Sequence, residues 1–158
     1  MEQIWAPWRM EYVLSEKGRG CIFCDKPKEN KDSDNLILYR GEKNFVILNS
    51  YPYNTSHLMV APYRHVAQLE ELSPEELYEH FAVVAKSVKA LRELLNPDGF
   101  NVGLNLGKVA GAGVEGHIHT HIVPRWQGDT NFMPVIAATR VIPEALAATY
   151  AKLKGKID

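Results

Sequence analysis

Apolar residues along this chain recur with two periods, and the points where one gives way to the other outline the fold. Residues 36–40 and 44–48 are β-rich runs joined by Gly41-Glu42-Lys43, a hairpin signature. A third extended run, 57–61, stops at Pro62, which cannot donate to a ladder. Ser73-Pro74-Glu75-Glu76 then opens a helix, with serine as N-cap, proline in the first position and glutamate at the third to close a capping box. Leu77, Phe81, Val84, Val88, Leu91 and Leu95 follow at helical spacing until Asn96-Pro97-Asp98-Gly99 ends the run. His80, beside Glu79 and off that stripe, reads as a surface or boundary residue and not as a ligand. Residues 100–106 alternate Asn101, Gly103 and Asn105 against Val102, Leu104 and Leu106, a strand with one wet face. Residues 117–123 alternate His117, His119 and His121 with Ile118, Thr120 and Ile122, a half-buried strand that projects three imidazoles from one face. Residues 143–153 form an alanine-rich terminal helix started by Pro143. Together these elements predict an α+β fold: a mainly antiparallel five-stranded sheet, one long helix between the third and fourth strands, and a C-terminal helix.

No repeat or linker divides the chain, so 1–158 reads as one domain, with 1–20 an N-terminal arm and 127–158 a C-terminal extension. The arm holds two of the three tryptophans, Trp5 and Trp8, and suits packing on the body or on a neighbour. Residues 26–35, dominated by Lys, Asp, Glu and Asn, read as an exposed, flexible loop. Eighteen basic against nineteen acidic residues give a formal charge of -1, and no basic stripe carries stacking aromatics. Neither nucleic acid nor a membrane surface is an expected partner. Residues 1–12 interrupt their aromatics with Glu2, Arg9 and Glu11 and lack the apolar core of a signal peptide or span, which points to the cytoplasm.

Three candidate sites remain. A row of imidazoles costs desolvation unless each ring finds a partner, so three on one face suggest chemistry. Cys21-Ile22-Phe23-Cys24 supplies too few cysteines for a disulfide scaffold; in a reducing compartment such a pair binds metal or does redox work. Nothing around Cys21 has the strand-then-helix context of a thioredoxin-like pair. Four glycines between Gly107 and Gly116 can bring backbone N–H groups to an anion, or form a flexible hairpin loop.

The stretch His117-Ile118-His119-Thr120-His121-Ile122-Val123 resembles the His-φ-His-φ-His-φ-φ signature of the histidine triad (HIT) superfamily of nucleotide hydrolases and transferases. The resemblance extends to Asn49, eight residues before His57, to Ser56-His57-Leu58-Met59-Val60, to the glycine loop and to Pro124-Arg125. The Trp-Ala-Pro-Trp-Arg opening and the run from Pro124 through Phe132 are similar to the branch containing diadenosine tetraphosphate phosphorylases. The resemblance implies a HIT-like fold in which His119 attacks the α-phosphate of a nucleotide to form a covalent nucleotidyl-histidine. His121 then donates to phosphoryl oxygens, Asn49 binds the ribose hydroxyls and Asn105 contacts the phosphates. Gly111, Gly113, Val114 and Trp126 complete the expected substrate contacts. Neutral imidazole is a good nucleophile near pH 7, and its second nitrogen needs an orienting acceptor, expected to be a backbone carbonyl. Cys21, Cys24, His65 and His117 match the zinc ligands of some members, a closed tetrahedral structural site. Members usually pair as homodimers with joined sheets.

The reaction implied is phosphorolysis of diadenosine tetraphosphate to ATP and ADP. A hydrolase of dinucleoside polyphosphates or adenosine phosphoramidates is the alternative, and a non-catalytic nucleotide-binding regulatory protein or zinc-stabilised interaction module is another class. The chain departs from the family pattern twice. Thr120 stands where an apolar residue is usual, and Ala112-Gly113-Val114-Glu115-Gly116 carries no Ser, Thr or Gln, which leaves phosphate to backbone amides with Glu115 turned away.

Overall fold

Strands β2 (Asn44–Leu48) and β3 (Leu58–Pro62) are buried at every position, the behaviour of apolar runs covered on both faces. A computed structural model describes residues 20–129 and 144–158. The tryptophan-bearing opening, residues 130–132 of the motif after the histidines, and the Pro143 helix start lie outside the described residues. Around β2 and β3 are β1 (Ile37–Arg40), β5 (Thr120–Arg125) and, at the edge, β4 (Gly99–Leu104). The sheet order is β1-β2-β3-β5-β4, with every neighbouring pair antiparallel.

The pleat sorts side chains between two cores. On one face Val46, Leu48, Leu58, Val60 and Ile122 meet Val83, Val84 and Leu91 of the long helix α3 (Pro74–Leu95). Leu153, from the C-terminal helix α4 (Leu146–Leu153), and Ile157 close that layer. On the other face Ile37, Phe45, Ile47, Met59 and Ala61 pack with Phe23 of the short helix α1 (Ile22–Asp25). Full burial of such side chains contributes about 1.5–3 kcal/mol each, so both layers hold the sheet.

The capping box forms as written: Ser73 Oγ accepts from the Glu76 amide at 3.2 Å, and the Glu76 carboxylate accepts from the Ser73 amide at 2.8 Å. The buried face of α3 is displaced from the one hydropathy suggests. It runs His80, Val83, Val84, Ser87, Ala90, Leu91, while Phe81 is 45% exposed. His80 is therefore not a surface or boundary residue; it is fully buried, because its two ring nitrogens are both hydrogen-bonded inside the core. Ser87 is tolerated on the same face because its hydroxyl donates to the Val83 carbonyl.

Residues 26–35 are likewise not a loop. A 3₁₀ turn (Lys26–Glu29) with Pro27 buried leads through left-handed Asn30 to α2 (Asp32–Asn35), where Asn35 is buried. Its amide donates to Glu29 and to the Lys26 carbonyl, which ties the polar stretch into a folded unit. Two strand limits also shift. β4 ends at Leu104, so Asn105 and Leu106 lie past it, and β5 begins at Thr120, so His117 and His119 precede the ladder. Among the described residues no helix is long and apolar enough to cross a membrane.

Candidate active site and metal centre

The segment ahead of β5 is held by one backbone bond, Ile118 N–H to the Val66 carbonyl at 2.7 Å. It delivers the His117 ring toward α1 and the His119 ring to the Phe23 face. Ring centroids trace a continuous row: Phe23 lies 5.3 Å from His117 and 4.7 Å from His119, and His119 lies 4.8 Å from His121. The three imidazoles thus share a side although the strand carries only the last. His121 stands in register with Met59 on one neighbour and Gly103 on the other, and a Cβ at Gly103 would meet nothing within 4 Å. The sheet leaves room beside that ring.

Partners that can only donate or only accept fix the tautomers. The His117 carbonyl accepts, so His119 carries its proton on Nδ1, at 2.8 Å, and presents the lone pair on Nε2. Burial pushes the His119 pKa below its usual value, which keeps the ring neutral. The Tyr53 amide can only donate, to His57 Nδ1 at 3.0 Å, so the neutral His57 ring has its proton on Nε2 and donates to His121 Nδ1 at 2.9 Å. His121 in turn carries its proton on Nε2. His57, fully buried, is the site residue that the sequence reading left without a role. Its parity with Met59 along β3, the face opposite α3, was the available signal.

Asn49 supports His57 directly: its amide nitrogen lies 3.3 Å from His57 Nδ1 while its side-chain oxygen accepts from the Tyr51 amide at 2.9 Å. Asn105 follows Leu104, which pairs with Thr120 as the last rung of the β4–β5 ladder. In the glycine loop, Gly111 at φ 90° closes the 3₁₀ turn (Lys108–Ala110), a conformation natural only to glycine. Its amide bonds the Lys108 carbonyl and the Ala112 amide bonds that of Gly107, whereas Val114 packs toward the Phe23 cluster beside Gly113. Trp126 lies five residues beyond His121, just past the end of β5 at Arg125. Its amide bonds Asp129, which also receives Arg125 at 2.6 Å and Asn54 at 2.8 Å, so that motif ties together the far end of β5.

Cys21, Cys24, His65 and His117 converge, with their ligand atoms within 4.8 Å of one another. Both cysteines are free thiols. His117 Nδ1 lies 3.3 Å from Cys21 Sγ and 3.5 Å from Cys24 Sγ, and 3.2 Å from His65 Nδ1; His65 Nδ1 lies 3.3 Å from Cys24 Sγ. A tetrahedron of zinc bonds has nitrogen–nitrogen edges of about 3.4 Å and nitrogen–sulfur edges of about 3.6 Å, and these four edges fall close to those lengths. The supporting contacts agree. His117 Nε2 donates to the Pro62 carbonyl at 2.8 Å, turning Nδ1 to the cluster. Arg64, adjacent to His65, pairs with Glu76 at 2.7 Å and holds that carboxylate down at about 2, which anchors the ligand segment to the start of α3. Gly116 passes so close that a Cβ there would meet His65 Nε2 at 3.3 Å.

Comparison with known proteins agrees with this geometry. The family model described as HIT domain matches residues 30–128. An AP-4-A phosphorylase of Mycobacterium tuberculosis is 39% identical over 158 residues, covering 94% of this chain and 80% of that protein. An adenosine 5'-monophosphoramidase of Schizosaccharomyces pombe is 28% identical over 137 residues, 87% of this chain and 98% of that one. Among solved structures, a zinc-bound histidine triad family protein of Mycobacterium smegmatis has a TM-score of 0.70 at 29% identity, covering 87% of this chain and 93% of that chain.

Proposed function

Since the chain belongs to the HIT family, we propose that it is a nucleotidyl-transferring enzyme that cleaves diadenosine tetraphosphate by phosphorolysis. Nε2 of His119 attacks an α-phosphorus, the bond from that phosphorus to the bridging oxygen breaks, and ATP departs, leaving adenylate on the ring. An oxygen of inorganic phosphate then attacks the same phosphorus, the nitrogen–phosphorus bond breaks, and ADP forms. His121 donates its Nε2 proton to the departing oxygen and recovers one from the entering phosphate. The His117 carbonyl stabilises the positive ring of the intermediate through Nδ1–H. Asn105 and the amides of Gly113 and Val114 hold the phosphoryl oxygens, and Asn49 the ribose hydroxyls. The observation that carries this reading is the pair of opposite tautomers: Nδ1–H on His119 and Nε2–H on His121 are the states a nucleophile and an acid need.

Cys21, Cys24, His65 and His117 would hold a structural zinc ion, which supplies rigidity and, with four protein ligands, no open position for substrate. The partner copy of a homodimer would pair along β4, one of the two edge strands, where Val102 is 46% exposed. The reduced thiol pair suits the cytoplasm.

Product analysis tests the proposal. With diadenosine tetraphosphate, added phosphate should convert the products from AMP plus ATP to ADP plus ATP, and mass spectrometry of quenched enzyme should find an adenylate adduct on His119. Products indifferent to phosphate would make the enzyme a hydrolase, and absence of any adduct during turnover would remove His119 as nucleophile.

A further inference from the structure

Beneath the histidines, on the covered face of the sheet, lies a second polar assembly. Glu79 of α3 accepts from the backbone amides of Glu42 and Lys43, each at 2.7 Å, and from Asn44 Nδ2 at 2.8 Å. Asn44 Nδ2 also donates to the Glu76 carbonyl at 3.3 Å, so its amide oxygen must face the other way. That oxygen can only accept, and it lies 2.8 Å from His80 Nδ1, which therefore carries the proton. Nε2 of the neutral ring is left as an acceptor, and Thr120 Oγ1 donates to it at 2.7 Å. Asn44, His80 and Thr120 are all at 0% exposure. Burial pushes the His80 pKa down to about 4 against the raising effect of Glu79, so the ring is neutral at pH 7.

We propose that His80 is a positioning residue for catalysis: through the Thr120 hydroxyl it fixes the strand between His119 and His121, and so the spacing of nucleophile and acid. Thr120 is the residue between those two, and the pleat turns its side chain to His80 of α3 while theirs turn to the Phe23 side. Its backbone is clamped by Val60 on one side and Leu104 on the other. An apolar side chain there would pack against α3 without a preferred direction. A hydroxyl bonded to a ring whose far side is locked to the β1–β2 turn sets one rotation of the strand. Reacting groups tolerate little misplacement, with about 1 Å enough to lose about 10²-fold in rate. The inference rests on the proposed roles of His119 and His121, and one of its readouts needs no turnover.

The test compares Thr120→Val, which removes the hydroxyl at constant shape, with Thr120→Ser, which keeps it. On folded protein, Thr120→Val should lower kcat on diadenosine tetraphosphate by about 10- to 100-fold with KM within about twofold, and Thr120→Ser should recover kcat to within about threefold. His80→Gln, with a donor and acceptor on a flexible chain, should lower kcat by about tenfold, and serves as the decisive variant if Thr120→Val does not fold. Imidazole nitrogen NMR of the protein without substrate should show His119 as a single Nδ1–H tautomer in the wild type and as a mixture in Thr120→Val. A Thr120→Val protein with wild-type kcat and an unchanged His119 spectrum overturns the proposal, as does a kcat loss that only follows the fraction unfolded. Should the wild type itself not turn over this substrate, the spectrum alone decides.

Discussion

His80 and His119 are a matched pair with opposite uses. Both are buried, His119 5% exposed and His80 not at all, and burial lowers the pKa of both. Each holds Nδ1–H against a fixed oxygen, the His117 carbonyl for one and the Asn44 amide for the other. They differ at the second nitrogen. His80 Nε2 accepts from Thr120, whereas among the described hydrogen bonds His119 uses Nδ1 only. A buried neutral imidazole with one nitrogen committed is a nucleophile in waiting; with both committed it is a strut. The side chain is the same, and what its second nitrogen meets decides its use.

The sharpest way to break that contrast is to remove the nucleophile's ring. His119→Ala should lower kcat by more than about 10⁴-fold while nucleotide affinity stays within about tenfold, read by single-turnover kinetics and by binding of a non-hydrolysable analogue. Retained turnover would mean the lone pair on Nε2 is not the attacking one. A step below that effect lies His57, which sets His121 as His117 sets His119. His57→Ala should lower kcat by about 10²- to 10³-fold, because His121 then spends part of its time with the proton on the wrong nitrogen. An unchanged pH–rate profile in that variant would show that His121 does not depend on its neighbour.

How much of this is visible in the sequence follows from the same contrast. The α3 start is legible because Ser73, Pro74 and Glu76 act locally, and the histidine row because a period of two needs no knowledge of the partner strand. The four metal-site residues are separated by up to 96 positions, and only their resemblance to a known ligand set joins them before the fold does. His80 is invisible for a different reason. Its burial depends on Asn44, 36 positions away, and on Thr120, 40 positions away, and a hydropathy stripe counts it as polar. Residues 26–35 mislead for a similar reason: most are exposed, as their charge suggests, but Asn35 donates to Glu29 and to the Lys26 carbonyl, so polarity there does not mean a loop without structure.

A second contrast separates the metal cluster from the nucleophile it adjoins. Phe23 sits between the two cysteines in sequence and against both His117 and His119 in space. Phe23→Ala should destabilise the protein by about 3 kcal/mol, the low end for a buried aromatic because one side is a loop able to collapse. Zinc content should stay near one per chain, as the four ligands are untouched. Cys24→Ser should do the reverse, losing the metal by elemental analysis and lowering the melting temperature. If Phe23→Ala also lost the metal, the ring and the cluster would have to be treated as one unit.

The smallest expected effect concerns His80 as an acid-labile strut. Its folded pKa, about 4, lies below the ordinary histidine value of 6.5, so on acidification the unfolded chain takes up a proton first. Stability is therefore full above about pH 6.5, is lost as pH falls from there toward about 4, and changes no further below that on account of this group. By pH 5 the loss is roughly 2 kcal/mol, from 1.4 kcal/mol for each pH unit below 6.5. The groups facing His80 do not imitate it. Thr120 and Asn44 do not titrate, and Glu79 is held below its usual value by the amides of Asn44, Lys43 and Glu42, which places its own titration at lower pH. His117 and His119 also resist protonation, so the wild-type slope contains their share as well. Subtraction isolates the strut. Denaturant unfolding of wild type and His80→Gln between pH 7 and 5 should give a steeper fall for the wild type, and two parallel curves would mean that the ring takes up its proton as easily inside the protein as outside it.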